Sequence, residues 1–114
     1  METINIMLDG EEITGLHFFI TEYATMFENL AVLLVDDDGE FWSDVTVNLP
    51  GYLVEENEAF VNVNAYSDVV GMLEKYDIAK PTGVKVNSGF VTYPLYKFDM
   101  DKLLKYGTRE EVVE

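Results

Sequence analysis

The sequence of 114 residues contains no cysteine. Without a thiol, the chain has no disulfide framework, thiolate zinc site, iron–sulfur cluster or cysteine nucleophile. A chain without cysteine fits the reducing cytosol, so we expect a cytoplasmic protein. Its stability must then come from packing. Hydrophobic residues make up 48% of the chain, which is enough at this length to bury one compact core.

Long apolar runs are also missing from the sequence. No stretch approaches the roughly 18 apolar residues that a membrane-spanning helix needs. The N-terminal residues Met1–Asn5 lack the basic region that begins a signal peptide. We therefore expect a protein that has no membrane partner.

Basic side chains are absent from residues 1–74, where sixteen Asp and Glu residues give a formal charge of −16. Residues 75–114 contain seven Lys and Arg and six acids, so their charge is +1. Nucleic acids and anionic lipids are contacted by Lys and Arg, so we expect neither as a direct partner. A partner selected by charge would be basic. A plainer interpretation stays open, in which the acids only keep the protein soluble.

A β-hairpin is predicted at the start of the chain. Thr3–Leu8 alternates apolar and polar residues, and the Asp9-Gly10 pair after it is a strong signal for a two-residue hairpin turn. The returning strand is expected over about Glu12–Tyr23, with one apolar face. The residues of that face are Leu16, Phe18 and Ile20.

A second hairpin is predicted from Leu30–Val35 and Glu40–Leu49, which flank the turn Asp36–Gly39. The pair Pro50-Gly51 is expected to end it, because proline cannot donate to a strand ladder. A further strand is expected at Ala59–Val63.

Two helices are predicted in the second half of the chain. Ser67 is a suitable N-cap for an amphipathic helix over residues 67–77. Asp99 is expected to cap a short helix over Met100–Tyr106, which Gly107 ends.

The segment between the helices is expected to contain an aromatic strand. Lys80–Gly83 should break the chain, and Asn87–Gly89 should turn it into the strand Phe90–Phe98. Pro94 interrupts that strand, which indicates an edge or a bulge.

These elements predict an α+β fold, with a mainly antiparallel sheet of about five to six strands, one amphipathic helix and a short C-terminal helix. We expect a single domain over residues 1–107 and a frayed tail over residues 108–114.

Signals for catalysis are weak. His17, the only histidine, lies in a predicted strand beside phenylalanines, where packing is a more common role than general base catalysis. The Asp36–Glu40 segment offers oxygen ligands but lacks the spacing of a calcium loop, and a turn explains it. No nucleophile elbow, Walker motif or Rossmann motif is present. The sequence therefore predicts a non-enzymatic protein with no catalytic, cofactor-binding or metal-binding residues.

Several strings of the sequence resemble a known family. They are Thr46-Val47-Asn48-Leu49, Ala59-Phe60-Val61, Pro81-Thr82-Gly83 and Ser88-Gly89-Phe90-Val91-Thr92-Tyr93-Pro94-Leu95-Tyr96-Lys97-Phe98. Together they resemble short, acidic, uncharacterised bacterial proteins, a domain of unknown function carried by plasmids, conjugative elements and phages of Gram-positive bacteria. The resemblance covers residues 30–105. It implies a mobile-element origin and no established activity.

In that context, the one-sided charge predicts an acidic surface that binds a basic groove of a nucleic-acid-handling protein such as a nuclease. Carboxylates can mimic nucleic-acid phosphates and meet the same Lys and Arg, as in inhibitors of the anti-restriction or anti-CRISPR type. The predicted contacts are Asp36, Asp37, Asp38, Glu40, Asp44, Glu55, Glu56 and Glu58.

The alternative hypothesis is a structural or regulatory accessory protein of a mobile element. It would bind another protein through the aromatic strand, with the acidic charge serving solubility only. The residues of this interface would be Phe90, Tyr93 and Tyr96. A homodimer also stays open.

Overall fold

The structure is a computed structural model, and it describes residues 2–23, 29–49, 51–52 and 54–110. In this part of the chain, nine β-strands form two sheets, and two short helices pack against them. The α+β class and the mainly antiparallel pairing are confirmed, although the strands are more numerous than expected. The strands are β1 (Ile4–Leu8), β2 (Glu11–Glu22), β3 (Leu30–Val35), β4 (Phe41–Asp44), β5 (Thr46–Val47), β6 (Glu58–Val61), β7 (Ala79–Ser88), β8 (Val91–Phe98) and β9 (Gly107–Arg109). The helices are α1 (Val69–Lys75) and α2 (Met100–Lys105).

The first sheet has the strand order β1-β2-β3-β4, and β9 pairs with β2 in parallel. Because β3 occupies one edge of the long strand β2, β1 and β9 lie one after the other along its opposite edge. The β1–β2 turn has φ angles of 50° at Asp9 and 81° at Gly10, as a two-residue hairpin turn of this kind requires. The first predicted hairpin is therefore confirmed.

The second predicted hairpin is only partly correct. β3 has the predicted bounds, but the expected strand Glu40–Leu49 is divided into β4 and β5, which belong to different sheets. The chain crosses between the sheets at Val45. The Val45 N–H donates to the Val32 carbonyl at 2.9 Å, and the Val45 carbonyl accepts from the Asn62 N–H at 2.9 Å. Val45 and Thr46 are consequently both buried, so the alternation that predicted one strand fails at the crossing.

The loop after β5 contains Gly51 with a φ of 90°. Pro50, which was expected to end the second hairpin together with Gly51, lies outside the described residues. The next strand, β6, begins one residue earlier and ends two residues earlier than the predicted Ala59–Val63.

The second sheet has the order β5-β6-β8-β7, so β7 is an edge strand. The predicted break at Lys80–Gly83 is wrong, because these residues lie inside β7. Pro81 and Gly83, whose φ is 94°, are accommodated where the register shifts between Pro81 and Lys85. Edge strands tolerate proline and bulges. Pro94 pairs with Lys85 directly beside the shift, which confirms the irregularity predicted there.

The main core lies between the sheets and includes residues of both helices. Phe18 and Ile20 are 0% exposed and Leu16 is 1% exposed, which confirms the predicted apolar face of β2. A smaller cluster lies on the other face of the second sheet, because side chains alternate along each strand. Its buried members are Leu49, Phe60 and Leu95.

Helix α1 is capped by Asp68, one residue later than predicted. Asp68 Oδ1 accepts from the Gly71 N–H at 3.0 Å. A Cβ at Gly71 would meet the Asp68 carboxylate, so a side chain there requires that carboxylate to shift. Ser67, the predicted cap, is instead buried, and its hydroxyl lies 2.7 Å from the Ser43 hydroxyl of β4.

Helix α2 is capped as predicted. The Asp99 carboxylate accepts from the backbone N–H groups of Asp101 and Lys102 at 3.0 and 3.2 Å. These bonds satisfy two backbone N–H groups of the first helical turn, which have no carbonyl partner within the helix.

Strand β9 lies where a frayed tail was expected. Thr108 and Arg109 pair with β2, so the ordered domain continues past residue 107. Gly107 was predicted to end the helix, but it also begins this strand. A Cβ at Gly107 would collide with the backbone oxygen of Phe18, so only glycine permits this approach. Residues 111–114 lie outside the described residues.

Candidate functional site

The β3–β4 turn carries four of the eight predicted contact acids, and Asp36 determines its shape. Asp36 Oδ1 accepts from the N–H groups of Asp38 and Glu40 at 2.9 Å each, and Oδ2 accepts from the Trp42 indole at 3.0 Å. The Trp42 hydrogen bond is the main reason that the pKa of Asp36 lies below its ordinary value, and the two backbone bonds and nearby His17 lower it further. Asp36 therefore holds the turn together, and its carboxylate oxygens are already engaged.

Trp42 is the single tryptophan of the chain, and its fluorescence should report the protonation of Asp36. Because folding lowers the pKa of Asp36, the stabilisation from its carboxylate is present above the ordinary value of 3.8 and is lost as the pH falls through the folded-state pKa. We expect a change in Trp42 emission below pH 3.8 that Asp36→Asn abolishes and Asp37→Asn retains. The same acid transition in Asp36→Asn would contradict this assignment.

Exposed carboxylates from two hairpins lie at one end of the first sheet. β2 and β3 are antiparallel, with His17 opposite Val35, so β2 runs past the end of β3 that carries the β3–β4 turn before it reaches the β1–β2 turn. The β1–β2 hairpin does not extend straight past the β3–β4 turn, because Leu8 bridges Ser67 and the Ser67 hydroxyl lies 2.7 Å from the Ser43 hydroxyl of β4. We call the exposed acids of these turns the turn-end acids. They are Asp9, Glu11, Glu12, Asp37, Asp38 and Glu40.

Half of the turn-end acids were missed by the sequence analysis. Asp9, Glu11 and Glu12 were assigned to a hairpin but not to the acidic surface. The Asp9-Gly10 turn signal placed them at a hairpin end. Only the order of the strands brings that end beside the β3–β4 turn, and strand order depends on pairing between distant segments.

The predicted contacts Glu55, Glu56 and Glu58 lie near the opposite end of β3. Glu55 and Glu56 line a pocket of about 320 Å³ together with Leu30, the first residue of β3. Glu58 supports this loop, since its carboxylate accepts from the Glu55 N–H at 2.9 Å. Six residues of extended strand place this group roughly 17 Å from the β3–β4 turn. The eight predicted acids therefore divide into separate groups.

Asp44 belongs to neither group. It ends β4 opposite Leu33, in the middle of β3. Burial raises the pKa of the Asp44 carboxyl. The pKa of Tyr23 is also raised, mainly by its own burial and further by the charge of Asp44. The surroundings of Asp44 are thus less hydrated than those of the turn-end acids.

The ion pairs of the described residues leave the turn-end acids unneutralised. These pairs are Lys102–Asp77 at 3.9 Å, Lys105–Glu2 at 3.4 Å and Arg109–Glu22 at 2.9 Å. Within residues 2–23, 29–49, 51–52 and 54–110, no turn-end acid takes part in an ion pair. Glu12 lines a pocket together with Lys75 without forming an ion pair in the described chain, so neighbouring cations offset the negative charge of the turn-end acids only in part.

The three predicted aromatic residues do not share a surface. Phe90 is fully exposed at the tip of the β7–β8 hairpin. Tyr93 packs against the smaller cluster around Phe60, whereas Tyr96 is buried in the main core on the opposite face of the sheet. Burial, followed by the charge of Glu74, raises the pKa of Tyr96. The aromatic-strand hypothesis thus retains one freely exposed residue.

Neither a metal cluster nor a membrane-spanning helix is found in the described part of the chain. No three His, Asp or Glu side chains there are placed to hold a metal ion. His17 Nδ1 is buried and has no hydrogen-bond partner among those residues. None of the described helices is long and apolar enough to cross a bilayer.

Fold and site together define a two-sheet α+β protein with unneutralised carboxylates at one end of a sheet. The chain belongs to the family described as Domain of unknown function (DUF4313), whose model matches residues 18–113. This confirms the predicted uncharacterised family, and the match extends beyond the expected residues 30–105 at both ends. No curated protein and no solved structure matches the chain.

Proposed function

We propose that this protein is a non-enzymatic inhibitor that binds a basic surface of a nucleic-acid-handling protein, such as a nuclease, through the turn-end acids. In this proposal it is a cytoplasmic product of a plasmid, conjugative element or phage of Gram-positive bacteria, and it works in the manner of anti-restriction or anti-CRISPR proteins. The observation that carries the proposal is the grouping of six exposed carboxylates at one end of a sheet, without ion pairs among the described residues.

The spacing of the turn-end acids supports mimicry of a nucleic acid. Duplex DNA presents about one charge for every 1.7 Å along its axis, and its partners meet these charges with Lys and Arg. Asp37, Asp38 and Glu40 lie within four residues of one another in one turn, and Asp9, Glu11 and Glu12 lie equally close together at the other. A groove that tracks several phosphates could therefore contact several carboxylates of one turn at once.

Hydrogen bonds hold the backbone of both turns in defined positions. Asp36 accepts three hydrogen bonds within the β3–β4 turn, and the Asp9-Gly10 turn continues directly into paired strands. An ordered acidic surface loses little conformational freedom on binding, which favours affinity. The mutual repulsion of the acids would be relieved by a basic partner.

Affinity capture from a bacterial lysate at two salt concentrations tests this function. We expect a captured basic protein that is retained at about 50 mM salt and lost at about 500 mM, because salt screens contacts between exposed charges. A double-stranded oligonucleotide should displace this protein from the same surface. Capture that resists both salt and the oligonucleotide would refute mimicry.

Charge reversal provides the matched comparison. The variant Asp37→Lys, Asp38→Lys, Glu40→Lys should bind the captured protein at least tenfold more weakly, which corresponds to about 1.4 kcal/mol. The control Glu55→Lys, Glu56→Lys, Glu74→Lys changes the net charge equally, away from the turn-end acids. It should retain most of the affinity. Equal losses in both variants would show that only the total charge matters.

The accessory-protein alternative is favoured by the full exposure of Phe90. In that case the captured protein would resist salt, Phe90→Ser would release it, and reversal of the turn-end acids would have no effect. The same capture experiment therefore separates the two functions.

A further inference from the structure

The β7–β8 hairpin differs in charge from the rest of the chain. Residues 78–98 form the longest segment without Asp or Glu, and they contain Lys80, Lys85 and Lys97. All but one of residues 80–88 are exposed. A positively charged segment thus extends from a protein whose net charge is −15.

The outer part of this hairpin is a two-stranded ribbon. β6 pairs only with Leu95–Lys97 of β8, so Val91–Pro94 pair with β7 alone. We call residues 80–97 the basic arm. Its free edge is poorly suited to adding another strand, because Lys80, Pro81 and the adjacent register shift protect edge strands from pairing. The tip is better suited to contact, because it carries the arm's fully exposed aromatic ring.

The tip of the basic arm presents Phe90 to solvent. Ser88 pairs with Val91, which leaves Gly89 and Phe90 as a two-residue turn, and Gly89 has a φ of 63°. Such a turn needs glycine at its first position but no aromatic residue at its second. The Phe90 ring is fully exposed and belongs to neither hydrophobic cluster. A large ring placed in this way is suited to anchoring a partner.

The pocket beside Glu55 has the complementary character. Its volume is about 320 Å³, whereas a cavity of about 150 Å³ holds a benzene ring. Its lining includes Arg109, whose guanidinium pairs with Glu22 at 2.9 Å, together with three apolar and three acidic side chains. The apolar and acidic side chains are Leu30, Val54, Met100, Glu22, Glu55 and Glu56. Glu55 and Glu56 leave the pocket with a net negative charge beside the Arg109–Glu22 pair. The pocket therefore has the volume for a phenyl ring and the charge opposite to that of the lysine-bearing arm.

Phe90 cannot reach the pocket of its own chain. The pocket lies at the base of the arm, where the Phe98 N–H donates to the carbonyl of Asn57, a lining residue, at 2.8 Å. Eight residues of extended strand separate Phe98 from Phe90, a distance of roughly 26 Å. The ring and the pocket can therefore meet only between two molecules.

We propose that the basic arm of one molecule inserts Phe90 into the acid-lined pocket of a second copy of this chain. The contact is head-to-tail, so each bound molecule still offers a free arm or a free pocket, and assembly continues into a ring or filament. The turn-end acids lie at the other end of β3 and take no part. The proposal therefore stands independently of the function proposed above.

Sedimentation velocity of the full chain at about 150 mM salt, where charges are screened beyond about 8 Å, tests this assembly. We expect the average mass of the wild-type protein to rise with concentration. Phe90→Ser should weaken association at least tenfold without changing the circular dichroism spectrum. Phe41→Ser removes another exposed phenylalanine, 55% exposed in β4, and should leave association unchanged.

A mixing experiment tests the head-to-tail geometry. Phe90→Ser keeps its pocket, and the double variant Glu55→Lys, Glu56→Lys keeps its arm. Each variant alone should be monomeric, whereas an equimolar mixture should form a heterodimer that grows no further. The proposal is overturned by a wild-type protein that stays monomeric, by a mixture that stays monomeric, or by equal effects of Phe90→Ser and Phe41→Ser.

Discussion

Replacing Gly107 with alanine is expected to lower the free energy of unfolding by about 3 kcal/mol. The added methyl group would collide with the Phe18 backbone oxygen and would lie 2.6 Å from Phe18 Cβ. Phe18 is 0% exposed in the main core, so it has no room to withdraw. Relief requires β9 to move away from β2, which weakens the bonds from Phe18 N–H to the Tyr106 carbonyl and from Glu110 N–H to the Ile20 carbonyl.

Urea denaturation measures the loss of unfolding free energy. Amide hydrogen exchange locates this loss, because the N–H groups of Phe18 and Glu110 should exchange faster. Thr108→Ala is the matched control, because Thr108 is the exposed neighbour of Gly107 in the same strand. The control should stay within about 0.5 kcal/mol of wild type. A Gly107→Ala protein that is as stable as Thr108→Ala would show that β9 does not pack against Phe18 as described.

Thr46→Val is expected to cost about 2 kcal/mol although the two side chains have nearly the same shape. Thr46 Oγ1 accepts from the Val32 N–H at 3.1 Å and lies 2.8 Å from the Tyr23 hydroxyl. Thr46 is 2% exposed, so water cannot replace the lost hydroxyl. Valine would leave a buried N–H of the first sheet without its partner from the second.

Two further variants separate the contributions that the two hydrogen bonds of the Thr46 hydroxyl make to stability. Thr46→Ser keeps the hydroxyl and should lose about 1 kcal/mol or less for the missing methyl group. Tyr23→Phe removes only the bond to Tyr23 and should cost about 1 kcal/mol. Thermal and urea unfolding give the comparison. If Thr46→Val proves more stable than Thr46→Ser, the hydroxyl does not join the sheets.

Local residue patterns were sufficient to predict several elements. The Asp9-Gly10 pair fixes a hairpin because both residues adopt positive φ angles. Asp99 caps α2 with hydrogen bonds to the next turn of backbone. The bounds of β3 follow from its short apolar run between turn signals. Each of these features depends on residues close together in the sequence.

The errors arose where distant segments decide the structure. The crossing at Val45 depends on Val32 in one sheet and Asn62 beside the other. Pro81 and Gly83 resembled a chain break, but pairing with β8 holds them in an edge strand. Gly107 resembled a helix end, and its approach to Phe18 has no local signature.

In the candidate site, too, local features were predictable from the sequence and features that depend on distant segments were not. Exposed acids in the β3–β4 turn were predictable from Asp-rich turn chemistry. The engagement of Asp36 by Trp42 was not, because it depends on the path of β4 after the turn. The separation of Glu55 and Glu56 from that turn follows from the strand order, which cannot be derived from a count of charges along the sequence.

The parallel pairing of β9 with β2 also has a consequence during synthesis on the ribosome. Phe18 and its partner Gly107 are 89 positions apart, so the part of the β2 edge that pairs with β9 stays open until residue 107 has been made. Long-range pairings of this kind close slowly, and an open apolar edge invites aggregation of nascent chains. The first 74 residues contain acidic side chains and no Lys or Arg, and we expect repulsion between unfinished chains to oppose this aggregation until β9 has been made.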